Sequence, residues 1–492
     1  MSVTTLPRSD LDRTRFFIDG AWVEPLERQT YSVIEAGTGE PMATAAVGSA
    51  ADIDAAVRAA RVALNQGPWG RSTPAERAAA MRRFAAALAE RADTTSWLCS
   101  RENGSPRTLS DAFNGAGPSA MLNMYADMIE QFPFEEARPS PAGATLVRRE
   151  PVGVVGAIPA WNGPQMQSMM KIAPALATGC TVVLKVPTET PLDPFVFGDA
   201  AAEAELPPGV LNIVVADREV GNTLITHPLV DKIAFTGSTA AGRRIAAECG
   251  RLIRRCTLEL GGKSAAIVLD DADLDVLRAG LYGAALMNNG QNCTAQSRIL
   301  APRSRYEDVV EAVAAAANDL VVGDPLDTET TCGPMASELH MNRVLGMIEA
   351  ARGGGARLVT GGGRPAGQDR GWFVEPTVFA DVDNDDGIAR EEVFGPVLAV
   401  IPYDDDEDAL NLANDSEFGL AGSVWTRDEQ RGLDLARRVR TGTIGVNRYD
   451  IAANAPFGGM KASGIGRENG PEALNGYIEY KSVAVSAEHL NI

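Results

Sequence analysis

The chain has 492 residues, a net charge of −20, 45% hydrophobic residues and 22% charged ones. At about 100 to 200 residues per domain, this length excludes a single small core, and the ordinary globular proportions exclude a largely disordered chain. With no run of Lys or Arg to offset the acidic balance, nucleic acid and anionic membrane are excluded as partners, and a small-molecule ligand is expected.

The first residues, MSVTTLPRSDLDRTRFF, contain no apolar signal core, and no later stretch offers about 18 uncharged apolar residues, so a soluble, cytoplasmic protein is expected. Residues 52 to 64 carry apolar positions at helical spacing, and Thr73-Pro74-Ala75-Glu76 is a capping box with proline at the first helical position. The first 130 residues are therefore predicted to be mainly helical. From about 150 the texture changes to short β-rich runs (PVGVVGAI, TVVLKV, VLNIVV, KIAFTG, CTLEL) separated by helices from about 164, 192 and 240. That alternation predicts a doubly wound parallel sheet.

A second α/β block starts near 261, with a strand SAAIVL, a helix through 273 to 288, helices near 305 to 319 and 340 to 352, and strands near 396 and 422. Gly353-Gly354-Gly355 and Gly361-Gly362-Gly363 read as loops, and the acidic run Asp404 to Asp408 as a solvated face. The tail GYIEYKSVAVSAEHL alternates like a strand, which suggests sheet addition between subunits. Six cysteines lie apart without a CxxC pair, which suits reduced thiols, and three histidines leave little for a hydrolase triad or a metal site, so no metal is expected.

Four segments could carry chemistry. KIAFTGSTAAGRR runs strand, Gly237-Ser238-Thr239, helix, which aims free N–H groups at a phosphate, but Arg243-Arg244 stands where a Walker A loop needs Lys-Ser/Thr. Cys293 follows the turn-forming Asn288-Asn289-Gly290, and alone it is either a small buried hydrophobe or a nucleophile. Glu259, in an apolar run before two glycines, is either paired structurally or held at raised pKa for proton transfer. Asn162, in Ala160-Trp161-Asn162-Gly163-Pro164, is either a turn residue or an oxyanion donor.

In combination these segments resemble the aldehyde dehydrogenase superfamily from Phe16 to Val485. The motifs occur in order: WN at 161 to 162, a lysine strand at 181 to 185, FTGSTxxG at 235 to 242, ELGGK at 259 to 263, GQxC at 290 to 293, EEVFGPV at 391 to 397 and PFGGxKxSGxGRE at 456 to 468. The separation of 34 residues between Glu259 and Cys293 also matches the family's base-to-nucleophile spacing. The resemblance implies a Rossmann-like coenzyme domain (1–128 and 150–260), an α/β catalytic domain (261–463) and a small β oligomerisation arm (129–149 and 464–492). It implies NAD as coenzyme, with NADP possible, an aldehyde as substrate, and a homo-oligomer, dimer or tetramer.

The resemblance implies that Cys293 attacks the aldehyde, that Asn162 holds the oxyanion, that Glu259 activates the hydrolytic water, and that Lys171 and Glu468 form a proton relay. It assigns Lys185 to the adenosine ribose, Ser238 with Gly237 to the pyrophosphate, and Glu392 with Phe394 to the nicotinamide ribose. Ile158, Trp161, Thr188, Leu260 and Gly261 complete the implied coenzyme contacts. Two positions depart from the family pattern: Thr188 stands where NAD-preferring relatives often have glutamate, with Glu189 following, and Ala160 stands where proline is usual. The implied tunnel positions are Gly163, Met170, Ile451 and Phe457; with one ring and no charge among them, a bulky apolar aldehyde (terpenoid, medium-chain or aromatic) is expected. The rival readings are a CoA-acylating or a semialdehyde dehydrogenase, a catalytically silent relative, and a cysteine hydrolase. The last needs a histidine, and none lies within 45 residues of Cys293 in the chain.

Overall fold

A computed structural model describes residues 11–491. The first ten residues and the last, which the sequence reading assigned to the coenzyme domain and the arm, lie outside the described residues.

Five strands, rich in apolar residues except Arg255–Glu259, lie parallel in one sheet, in the order Arg255–Glu259, Lys232–Thr236, Val154–Ile158, Thr181–Val186, Leu211–Val215. Four of the five are buried at every position, as a parallel sheet covered by helices on both faces requires. Chain order reverses between Val154–Ile158 and Lys232–Thr236, and the crevice beyond the carboxyl ends at such a reversal is where doubly wound sheets hold ligands. Ile158, Thr236 and Glu259 all close strands at that edge.

A second sheet carries six parallel strands in the order Thr377–Ala380, Val397–Tyr403, Arg298–Pro302, Ala265–Val268, Gly422–Trp425, Gly445–Val446, with Arg357–Thr360 antiparallel at one edge. A third, antiparallel sheet joins Glu135–Ser140, Gly143–Pro151 and the tail strand Ile478–Val485, whose register runs from Ile478 opposite Pro151 to Val485 opposite Ala144. The tail alternation therefore reads correctly as a strand. Most of its side chains face solvent in the single chain.

The expectation of a mainly helical first 130 residues is corrected. Four strands precede the helix Ala50–Asn65: Phe16–Ile18 and Ala21–Val23 extend the coenzyme sheet through Phe17 opposite Ile213, and Gln29–Ile34 pairs with Pro41–Val47. Three-residue strands have no periodicity to read; these two pair with each other across the Asp19-Gly20 turn, and the edge at Leu211–Val215 takes the hairpin into the sheet. From Ala50 to Gln131 the helical reading holds, with the capping box seen as Thr73 N–H to Glu76 Oε2 at 2.7 Å and Glu76 N–H to Thr73 Oγ1 at 3.3 Å.

The helix expected over 273 to 288 is also shorter. It runs from Leu274 to Leu281, widens into a π-helical turn through Leu286 and breaks at Asn288 and Asn289, whose φ values are 56° and 62°. The left-handed region suits asparagine better than most side chains, so the break has a local cause. The acidic run is solvated as expected and also has a structural use: Asp405 caps the helix Asp406–Asn414, while Asp404, Asp406 and Glu407 pair with Arg303, Arg431 and Arg438.

Candidate active site

A cavity of about 930 Å³, counting the solvent at its mouth, opens between the two large sheets. Asn162, Glu259, Cys293 and Glu468 line it, as do all four positions read as the substrate tunnel, Gly163, Met170, Ile451 and Phe457. The structure thus gathers residues spread over more than 300 positions of sequence around one space. Leu109, Phe113 and Met166 line it as well, and none of these was expected. Phe113, on the π-helical turn Asp111–Ala116, adds a second ring to the one among the four expected positions. That turn packs against the helix Pro164–Thr178 through a long-range contact that no local pattern encodes.

Cys293 sits at the end of a tightly tied loop. Asn289 donates to the Gly104 and Pro334 carbonyls at 2.8 and 2.9 Å and accepts the Gly333 N–H at 2.6 Å. Gln291 donates to the Asn103 carbonyl and accepts the Ala336 N–H. Amide side chains satisfied at both ends hold one geometry, because leaving any end unpaired costs a buried hydrogen bond. Burial and the neighbouring Glu392 and Glu259 carboxylates push the Cys293 thiol well above the usual thiol range, so its proton needs a base in order to leave.

Glu259 ends the strand Arg255–Glu259, is buried, and has no hydrogen-bonding partner among the described residues on either carboxylate oxygen. Burial first, and then the Glu468 carboxylate, hold its pKa well above the carboxylate range; Lys171, Arg467 and the Gly459 amide offset this only in part. Gly458, at φ +150°, leaves the room: a Cβ there would fall 2.6 Å from Glu259 Oε1. Nearby, the buried Lys171 Nζ donates to Glu468 Oε1 at 2.8 Å and to Thr236 Oγ1 at 2.6 Å.

The expected coenzyme residues follow the carboxyl edge of the first sheet. Ser238 caps the helix Thr239–Arg251, accepting the Ala241 N–H at 3.3 Å, and its hydroxyl proton stays free for an anion. Leu260 packs against that helix at Gly242, where a Cβ would come 2.4 Å from it. The Lys185 ammonium is buried and makes no hydrogen bond among the described residues; burial lowers its pKa to about 8 against the pull of Glu189 and Asp217. A buried ammonium without a partner fits a site for ligand hydroxyls. The Thr188 carbonyl accepts the Tyr31 hydroxyl at 2.9 Å, and its own hydroxyl turns to Glu189 at 3.4 Å.

Glu392 accepts the Gly262 N–H at 2.9 Å, and a Cβ at Gly261 would meet its carboxylate at 2.4 Å, which accounts for a glycine there. Burial raises its pKa to about 7. Phe394 holds a φ of 60°, unusual for an aromatic residue, with its ring 5.3 Å from that of Trp161 and its carbonyl accepting His340 Nε2–H at 2.7 Å. Folding therefore does bring a histidine to the site, but burial lowers its pKa to about 4 and it is tied to Phe394. Sequence reasoning missed His340, because nothing near it in the chain marks its destination.

Among the described residues, no group of His, Cys, Asp and Glu could hold a metal, all six cysteines are unpaired, and no helix is long and apolar enough to cross a membrane.

The family model described as aldehyde dehydrogenase family matches residues 22–483. Geranial dehydrogenase from Castellaniella defragrans is 51% identical over 474 residues, covering 96% of this chain and 99% of its own. Among solved structures, Mycobacterium tuberculosis aldehyde dehydrogenase complexed with NAD+ matches at a TM-score of 0.95 and 46% identity, covering 97% of this chain and 99% of its own. A mutant of aldehyde dehydrogenase C from Pseudomonas syringae, in complex with NAD+ and octanal, matches at 0.93 and 38%, covering 98% of each chain. The chain belongs to the aldehyde dehydrogenase family and is an NAD(P)-dependent aldehyde dehydrogenase.

Proposed function

We propose that the enzyme oxidises bulky apolar aldehydes, terpenoid, medium-chain or aromatic, to their acids. The observation that carries this reading is the tunnel: Leu109, Phe113, Met166, Met170, Ile451 and Phe457 give the cavity at Cys293 a mainly apolar surface, and no lysine or arginine stands among the described lining residues to hold a substrate carboxylate. That argues against a semialdehyde, and Glu259 argues against CoA as the acyl acceptor. The likeness to geranial dehydrogenase and to an octanal complex supports the same class.

In the proposed mechanism Cys293 adds to the carbonyl carbon. Its proton leaves to solvent at the open mouth of the cavity, and Asn162 with the Cys293 N–H stabilises the oxyanion. A coenzyme held beside this carbon would supply the hydride acceptor, and Cys293 would then carry the acyl group as a thioester. Glu259 then takes a proton from water as that water attacks the thioester carbon, the C–S bond breaks to release the acid and the Cys293 thiolate, and Glu468 and Lys171 pass the proton on. Lys185 would hold the adenosine ribose, Ser238 the pyrophosphate and Glu392 the nicotinamide ribose.

The shape reading is tested by chain length. Each buried methylene contributes about 0.8 kcal/mol, so kcat/KM is expected to climb severalfold per carbon from C2 until the tunnel is filled. Gly163 has a φ of −156° that any residue can adopt, and a Cβ there meets only Gln167, at 3.7 Å, so a larger side chain would project into the tunnel. Gly163→Phe is expected to lower kcat/KM for a branched ten-carbon aldehyde by about fiftyfold, the value of some three methylenes, and to spare acetaldehyde. A parent enzyme that prefers acetaldehyde or a carboxylated semialdehyde contradicts the reading.

For coenzyme, we read NAD as the working partner with measurable NADP use, because Thr188 lacks the carboxylate that would repel a 2′-phosphate and Glu189 keeps part of the repulsion. Thr188→Glu is expected to raise the NAD over NADP ratio of kcat/KM by about tenfold. An unchanged ratio means the position does not face the ribose. The edge strands of the third sheet support a homo-oligomer, dimer or tetramer, with the arm contributed by 129–149 and 464–492 and the coenzyme and catalytic domains divided near 260. Six unpaired cysteines suit a cytoplasmic location.

A further inference from the structure

The helix Pro164–Thr178 begins directly after Asn162 and Gly163, and its fourth residue, Gln167, turns back toward them. Gln167 Nε2 donates to Asn162 Oδ1 at 2.8 Å, while Gln167 Oε1 accepts the Ala160 N–H at 2.9 Å. Asn162 Nδ2 in turn donates to the Gln291 carbonyl at 2.9 Å.

The two ends of a side-chain amide are interchangeable unless their partners fix them. Here the row of two amides is bounded by backbone groups of fixed sense. Ala160 offers only an N–H, so Oε1 must face it and Nε2 must face Asn162. The Gln291 carbonyl only accepts, so Nδ2 must face it. The two constraints agree, and they leave Asn162 with one N–H that no group among the described residues takes. Proline in place of Ala160, the usual residue in the family resembled, would have no N–H to begin the row.

We propose that Gln167 is a positioning residue: tied to the Ala160 N–H, it holds the Asn162 amide so that its remaining N–H meets the aldehyde oxygen. The proposal rests on the reading of Asn162 as the oxyanion donor. Preorganisation is the physical gain, since a donor already aimed where charge develops needs no reorientation during the reaction. Without Gln167, Oδ1 loses its donor and the amide is free to rotate about the Gln291 contact.

The test is a double-mutant cycle on the full-length enzyme, reading the rate of the NADH burst with an eight-carbon aldehyde and, separately, the Kd for NAD. Asn162→Ala is expected to slow the burst by about 10²- to 10³-fold. Gln167→Met is expected to slow it by about tenfold with the Kd unchanged, and by less than about twofold when added to Asn162→Ala. An equal loss in both backgrounds, or no loss in the parent, overturns the proposal, because Gln167 would then act on tunnel shape or not at all. Gln167→Glu, which can accept from Ala160 but cannot donate to Asn162, and Ala160→Pro, which removes only the first donor, are expected to behave as Gln167→Met does. They carry the cycle if that variant fails to bind NAD. A burst in Asn162→Ala within twofold of the parent is a separate result: it overturns the oxyanion reading itself and this inference with it.

Discussion

Cys293→Ser is expected to bind NAD with an unchanged Kd and to oxidise aldehyde at less than about a thousandth of the parent rate. A serine hydroxyl is far less acidic than a thiol. The Cys293 thiol is itself held above its usual range by burial and by the Glu392, Glu259 and Glu468 carboxylates, so a weaker acid at the same place keeps its proton. No imidazole is available to take that proton, because the one histidine brought to the site, His340, donates to the Phe394 carbonyl and stays beside Trp161. Steady-state NADH formation and NAD titration on the same preparation check this result. Activity within about tenfold of the parent would sink the covalent mechanism.

Glu259→Gln is expected to keep the burst of NADH and to slow the steady rate by about 10²- to 10⁴-fold, the usual contribution of a general base. Acyl enzyme should then accumulate, visible as an adduct in intact-mass measurement during turnover. The pH dependence follows from the raised pKa of Glu259. A base acts only when deprotonated, so the parent's deacylation should rise as pH climbs through that raised value and fall away below it, at a pH higher than an ordinary carboxylate would give. The glutamine variant has no such group, and its slow residual deacylation should lose that rise. No adduct together with an unslowed steady rate would refute the assignment of Glu259.

Motif and texture made much of this protein legible in one dimension. The parallel core strands are continuous apolar runs whose neighbours are helices, and the Thr73 box and the Ser238 helix start are local hydrogen-bond patterns within four residues. Cys293, Glu259 and Asn162 were legible through motif order, as were the four tunnel positions, which all line the same cavity.

What the sequence by itself determined was what nearest neighbours in the chain encode: the parallel strands and the helices between them, the caps, the turn-forming Asn288-Asn289-Gly290, and the residue chemistry available to the site. The tertiary structure decided the rest. The hairpin Phe16–Ile18 and Ala21–Val23 joins the coenzyme sheet only because Leu211–Val215 offers an edge, Phe113 becomes a tunnel wall only because its turn packs on the helix Pro164–Thr178, and His340 meets Phe394 across 54 residues. The pKa shifts belong here too, since Glu259 is raised by burial and by Glu468, more than 200 positions away. So does the amide row, whose polarity is fixed by a carbonyl 129 residues beyond Asn162. The physical reason is common to all of them. Pairing, burial and field depend on distance in space, and a chain pattern reports distance only over the few residues that one helical turn or one tight turn brings together.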